Sequence, residues 1–145
     1  LDSDMLFWKN PSDIVEWLKS PQRPLYMLDC QESYGYTKEL MESLTQEKIQ
    51  PLINVGVIGM ASQSINWNNL EKWCINLENA EKTTYFLEQA LSAMLIGSKE
   101  STILNTNNYV VNPKQISEFH VLHHYVDTSK EIYFKQAWRK IIELN

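Results

Sequence analysis

Short apolar runs alternate along this chain with amphipathic stretches of helical period. Leu6-Phe7-Trp8 reads as a short buried strand or extended segment directly after a pair of carboxylates. Asn10-Pro11-Ser12-Asp13 opens a helix, because Asn10 can cap, Pro11 suits the first turn and Asp13 complements the dipole. Ile14, Trp17 and Leu18 share one face of that helix, and Ser20-Pro21-Gln22-Arg23-Pro24 ends it. Leu25-Tyr26-Met27-Leu28 is near-continuously apolar, the pattern of a strand covered on both faces. Gly35 breaks the chain, and residues 36–44 read as helix. Residues 53–60 are β-branched and apolar around Asn54, Gly56 and Gly59, which predicts a core strand with a bulge or a close backbone approach. Leu70, Trp73, Cys74 and Leu77 fall at i, i+3, i+4 and i+7 of a helix beginning after Asn66-Trp67-Asn68-Asn69.

A second helix is expected from about Thr84 to Ile96, with Leu87, Ala90, Leu91 and Met94 inward and Gly97 as its stop. Thr102-Ile103-Leu104 reads as a short strand, residues 105–111 as loop of extended character, and Asn112-Pro113 as the start of one helical turn. Residues 119–126 form the last predicted strand, which delivers His123 and His124 to its C-terminal end. A helix from about Lys130 packs Tyr133, Phe134, Ala137, Trp138, Ile141 and Ile142. The alternation predicts one α/β domain over residues 1–145, with helices flanking a mainly parallel or mixed sheet.

Charge narrows the partners. With 13 basic against 18 acidic residues the net charge is −5, and no basic stripe exists to hold nucleic acid or anionic lipid. A phosphate must therefore be held by a metal or by a few placed cations. The apolar runs are too short to span a bilayer. Cys30 and Cys74 form no metal-type pair, and with no signal peptide visible the expectation is reduced thiols in the cytoplasm. The chain opens on Leu1 rather than Met, at what reads as the end of a strand, so an N-terminal portion of a larger protein is expected to precede it.

Candidate chemistry begins at Asp2-Ser3-Asp4. Two carboxylates one residue apart at a strand end can converge on Mg²⁺ or Mn²⁺, and ligands collect at strand ends in α/β sheets. His124 stands at another strand end, and Lys130 follows it. Two carboxylates and an imidazole with an open side make a ligand set for Mn²⁺, and a nearby lysine adds a point charge for a diphosphate bridged by that metal. Taken singly, each piece has a plainer reading: a solvated turn, a satisfied core histidine pair, a solvated lysine. Asn54 needs partners if buried, either backbone across the sheet or sugar hydroxyls. Glu88 and Gln89 are either an exposed helical face or a sugar-binding pair.

These pieces together resemble the C-terminal half of a GT-A fold glycosyltransferase, closest to glycosyltransferase family 8. The matching segments are Leu-Asp-Ser-Asp-Met at 1–5, Asn-Val-Gly-Val-Ile-Gly at 54–59, Glu-Gln at 88–89 and His-Tyr-Val-Asp-Thr-Ser-Lys at 124–130, followed by Ala137-Trp138-Arg139. They keep the family's order and span nearly the whole chain. The resemblance implies an enzyme that moves a sugar from a nucleotide diphosphate donor to a sugar, lipid or protein acceptor. It implies Mn²⁺ (or Mg²⁺) on Asp2, Asp4 and His124, the donor on Ser3, Asn54 and Lys130, and Glu88 and Gln89 near the anomeric carbon as the catalytic pair. It leans to retaining chemistry.

Departures from the family pattern are Glu88 for a usual Asp, Asp127 for a common glycine, and Glu131-Ile132 for a usual Pro-Trp. An acidic Asp127 repels a diphosphate. His123 could take the metal role, although spacing to Lys130 favours His124. The family binds the nucleoside mostly before the Asp-x-Asp motif, so this polypeptide alone is expected to bind donor poorly, and an exposed sheet edge favours homo-oligomers. The alternative is a non-catalytic interaction domain that keeps the scaffold. A hydrolase with paired carboxylates ranks third, because no second acidic pair completes its chemistry.

Overall fold

The computed structural model describes residues 2–80, 85–97 and 99–143. Its strands make two mixed three-stranded sheets. In the first, β1 (Met5–Phe7) and β5 (Tyr109–Val111) flank β6 (Leu122–His124), which runs antiparallel to β1 and parallel to β5. In the second, β3 (Ile53–Gly59) and β4 (Thr102–Ile103) flank β2 (Leu25–Leu28), which runs antiparallel to β3 and parallel to β4. The expected α/β class and mixed pairing hold. The single sheet does not: no ladder joins the two sheets among the described residues.

Helix α1 (Ser12–Lys19) lies beside the first sheet. Helices α2 (Lys38–Thr45), α3 (Trp67–Ala80) and α4 (Leu87–Ile96) cover the second. The expected start of α4 at Thr84 lies outside the described residues, and Gly97 ends that helix with φ +52°. After β6 the chain makes a tight turn at Asp127–Ser129 and enters α5 (Lys130–Ile132). A π-helical stretch at Tyr133–Ala137 then leads into α6 (Trp138–Glu143).

Strand β2 explains why its run is apolar on every residue. Side chains alternate across a strand. Tyr26 and Leu28 enter a core with Met41, Leu77, Ala90 and Ile96 of the helices, while Leu25 and Met27 enter a second core with Met5, Tyr109 and Leu122 of the other sheet. The register between β2 and β3 jumps between Tyr26↔Ile58 and Met27↔Asn54, so β3 bulges. The bulge puts Ile53 in one core and Val57, four residues on, in the other. It also turns Asn54 and Gly56 toward β6.

Three local expectations need correction. Residues 105–111 include the paired strand β5. Asn112-Pro113 starts no helical turn, because Asn112 has φ +54° and its N–H donates to the His124 carbonyl at 3.0 Å. The last strand is three residues rather than eight: Phe119 is 84% exposed, and the chain around it turns instead of pairing.

Candidate metal centre

Antiparallel pairing sets the site. Met5 lies opposite His124, and the Tyr125 N–H donates to the Asp4 carbonyl at 2.9 Å, so the start of β1 is pinned to the end of β6. Asp2 and Asp4 therefore precede β1 within the described residues; the expected strand ending at Leu1 lies outside them. The His124 Nε2 lies 3.2 Å from Asp4 Oδ1 and 3.8 Å from Asp2 Oδ2. One ligand atom from each of the three residues lies within 4.8 Å of the others. Adjacent ligands of an octahedral ion with bonds near ~2.1 Å stand about 3 Å apart, so the set fits a small divalent cation. Two carboxylate oxygens and an imidazole nitrogen are a donor set that a first-row transition ion, Mn²⁺ among them, can accept, since imidazole serves such ions better than Ca²⁺ or Mg²⁺.

Successive residues of a strand face opposite sides, which decides between the two histidines. His124 meets the carboxylates, and its Nδ1 lies 3.1 Å from Asn54 Oδ1. His123 turns into the protein. Its Nδ1 accepts from the Trp8 indole N–H at 2.9 Å, with the Tyr125 hydroxyl 3.0 Å away, and its Nε2 lies 2.7 Å from His120 Nδ1. Burial holds the His124 imidazole below its ordinary value, against the upward pull of Asp4, Asp2 and Asp29. A neutral imidazole carries one N–H and one lone pair, so what His124 Nε2 presents to the two carboxylates depends on its tautomer.

His123 carries its own consequence. Burial, with His120 adding to it, pushes its imidazole from 6.5 down to about 4. Between pH 6.5 and 4 the unfolded chain takes up this proton before the folded one, so stability falls as pH falls through that window. The loss is on the order of 3 kcal/mol by pH 4. Urea midpoints of metal-free protein across this range should flatten in His123→Gln, which keeps an acceptor for Trp8. Equal slopes in both proteins would reject the assignment.

A cleft of about 380 Å³ opens over the cluster, lined also by Asn54, Gln89, Asp127 and Lys130. The Lys130 Nζ lies 3.4 Å from Asp4 Oδ2, so an ammonium stands at the mouth beside the carboxylates. Asn54 is 2% exposed and reaches the centre through His124. Gln89 lines the cleft, but Glu88 is exposed and lines a separate groove with Leu87, Leu91 and Leu95. Consecutive helical residues point about 100° apart, which sets Gln89 and Glu88 on different grooves. Ser3 is exposed and does not line the cleft; its carbonyl accepts from the Tyr133 hydroxyl at 3.3 Å.

Sequence reasoning missed Asp29. It directly follows β2, where ligands of α/β sheets gather, and its Oδ2 accepts from Asn54 Nδ2 at 2.8 Å. Its position after an apolar run was the available signal.

Asp127, at the glycine position of the resemblance, has φ +46°, a left-handed conformation that Asp tolerates better than most residues. Asp127→Gly should raise stability in urea by up to about 1 kcal/mol through relief of that conformation. It should also tighten Mn²⁺-dependent pyrophosphate binding about fivefold by removing roughly 1 kcal/mol of charge repulsion. Calorimetry showing weaker pyrophosphate binding would reject the second effect.

No family model, curated protein or solved structure matches this chain. No helix among the described residues is long and apolar enough to cross a membrane.

Proposed function

We propose that this chain carries the metal and diphosphate part of a GT-A type glycosyltransferase, which moves a sugar from a nucleotide diphosphate donor to an acceptor. The observation that carries the reading is the convergence of Asp2, Asp4 and His124, with the His124 Nε2 facing both carboxylates and Lys130 beside them. The four ordered sequence segments add to it.

Asp2, Asp4 and His124 would hold Mn²⁺. When bound, that ion acts as a Lewis acid on the leaving diphosphate. Lys130 sits where an ammonium can neutralise charge growing on the same leaving group. Gln89, on the cleft wall, can donate hydrogen bonds to a sugar held there, and Glu88 faces the neighbouring groove. Asp127 limits affinity for the anion.

That carboxylate in the cleft favours a second reading, a non-catalytic binding module on the same scaffold. Turnover separates the two. The chain is incubated with Mn²⁺, a panel of nucleotide sugars and simple sugar acceptors, and nucleoside diphosphate release is followed. Release that needs Mn²⁺ and stops with EDTA supports the enzyme. Mn²⁺ binding without release from any donor supports the binding module.

A further inference from the structure

Resting on that reading, we propose that Asn54 and Asp29 are positioning residues that fix the tautomer of His124 and leave its Nε2 lone pair for a divalent cation. Asp29 Oδ2 accepts from Asn54 Nδ2 at 2.8 Å, and the Asp29 carboxylate is itself steadied by the Cys30 N–H. The amide nitrogen of Asn54 therefore faces Asp29. Its Oδ1 then faces the other way, where it accepts from the Gly56 N–H at 3.0 Å and meets His124 Nδ1 at 3.1 Å. A carboxylate can only accept and a backbone N–H can only donate, so the Asn54 amide has one orientation that satisfies both. With that oxygen against it, His124 Nδ1 carries the hydrogen, and Nε2 is left as the acceptor facing Asp2 and Asp4.

The neighbouring histidine is set the opposite way. The Trp8 indole N–H can only donate, so the His123 Nδ1 accepts and its hydrogen sits on Nε2, directed at His120 Nδ1. Two adjacent histidines on β6 thus hold opposite tautomers, each fixed by a different partner. The bulge in β3 is what brings Asn54 under His124. Asn54 is 2% exposed, and both of its side-chain polar atoms are engaged with Asp29, Gly56 and His124, which suits it to a supporting role. The Asp29 charge, passed through the Asn54 amide, makes the Nε2 lone pair a stronger metal ligand, as outer-shell carboxylates do for other metal-bound histidines.

Long-range ¹H–¹⁵N correlation spectra of metal-free, ¹⁵N-labelled protein test this directly. Wild type should show the His124 hydrogen on Nδ1 and the His123 hydrogen on Nε2. Asn54→Leu should move the His124 hydrogen to Nε2, leave His123 unchanged and weaken Mn²⁺ binding about 10–100-fold. Asp29→Ala, outside both apolar cores, should act in the same direction and serves as the test if Asn54→Leu does not fold. Asp29→Asn, which keeps an acceptor for Asn54, should retain the wild-type tautomer and recover most of the affinity.

A wild-type His124 protonated on Nε2 would overturn the proposal. So would Asn54→Leu and Asp29→Ala proteins with unchanged tautomer and Mn²⁺ affinity. A wild type with the stated tautomers but no Mn²⁺ affinity would support the relay while removing the metal reading of the site.

Discussion

Replacing Asp4 with Asn should abolish Mn²⁺-dependent turnover and weaken Mn²⁺ binding by at least about 100-fold, while leaving the fold intact. One of two carboxylate ligands is lost, and the remaining set is Asp2 with His124. A neutral amide oxygen is a poorer ligand for a hard divalent ion than a carboxylate. The stability effect separates a metal ligand from a structural ion pair. With the His124 tautomer proposed above, the Asp4 carboxylate in metal-free protein faces a lone pair on Nε2 and the nearby Asp2 carboxylate, both unfavourable. Its compensation is the Lys130 contact, between partly exposed groups and worth at most about 1 kcal/mol. The amide introduced by the substitution can instead donate to Nε2. The variant should therefore melt in EDTA at or slightly above the wild-type temperature. A clear drop in melting temperature in EDTA would mark Asp4 as a structural partner.

Gly56→Ala should damage stability and metal binding together. An ideal Cβ at Gly56 would lie 2.5 Å from His124 Cε1 and 2.9 Å from Asn54 Oδ1, and would also collide with the terminal methyl of Met5. Met5 can swing aside, but the His124 ring is held by Asn54 below and strand β6 behind. The ring must move, and overpacking of this kind costs about 1–3 kcal/mol. Mn²⁺ affinity should fall at least about tenfold, since outer-shell disturbance of a ligand has that scale. Urea denaturation and Mn²⁺ titration on the same sample check both. Lost stability with wild-type Mn²⁺ affinity would mean that His124 is no ligand.

Legibility in the sequence follows the range of the interaction involved. Helix α3 is readable because Leu70, Trp73, Cys74 and Leu77 repeat within two turns, a purely local pattern. Strand β2 is readable because burial on both faces removes polar residues from the run. The three-residue strands β1, β5 and β6 carry too few alternations to be bounded, and their limits come from pairing with distant partners. That is why β5 reads as a loop in the sequence and β6 reads too long. The split into two sheets likewise depends on which strands pair.

At the site, Asp2, Asp4 and His124 are legible as residue types next to short strands, and Lys130 as a cation at the start of the helix that follows His124. The Asn54 environment is legible only as a polar residue needing partners, because its partner Asp29 is twenty-five residues away. For Glu88 and Gln89 the sequence leaves open which of the two faces the cleft, and the packing of α4 puts Gln89 there and Glu88 on the neighbouring groove.

The central claim is that Asp2, Asp4 and His124 form a divalent cation site serving a diphosphate. Mn²⁺ electron paramagnetic resonance on the wild-type chain tests it most directly, with pyrophosphate added afterwards and His124→Ala as the comparison. The result in favour is one bound Mn²⁺ per chain whose spectrum changes on adding pyrophosphate, with both signals lost in His124→Ala. Free Mn²⁺ in the presence of wild-type protein, or equal binding by His124→Ala, would contradict it.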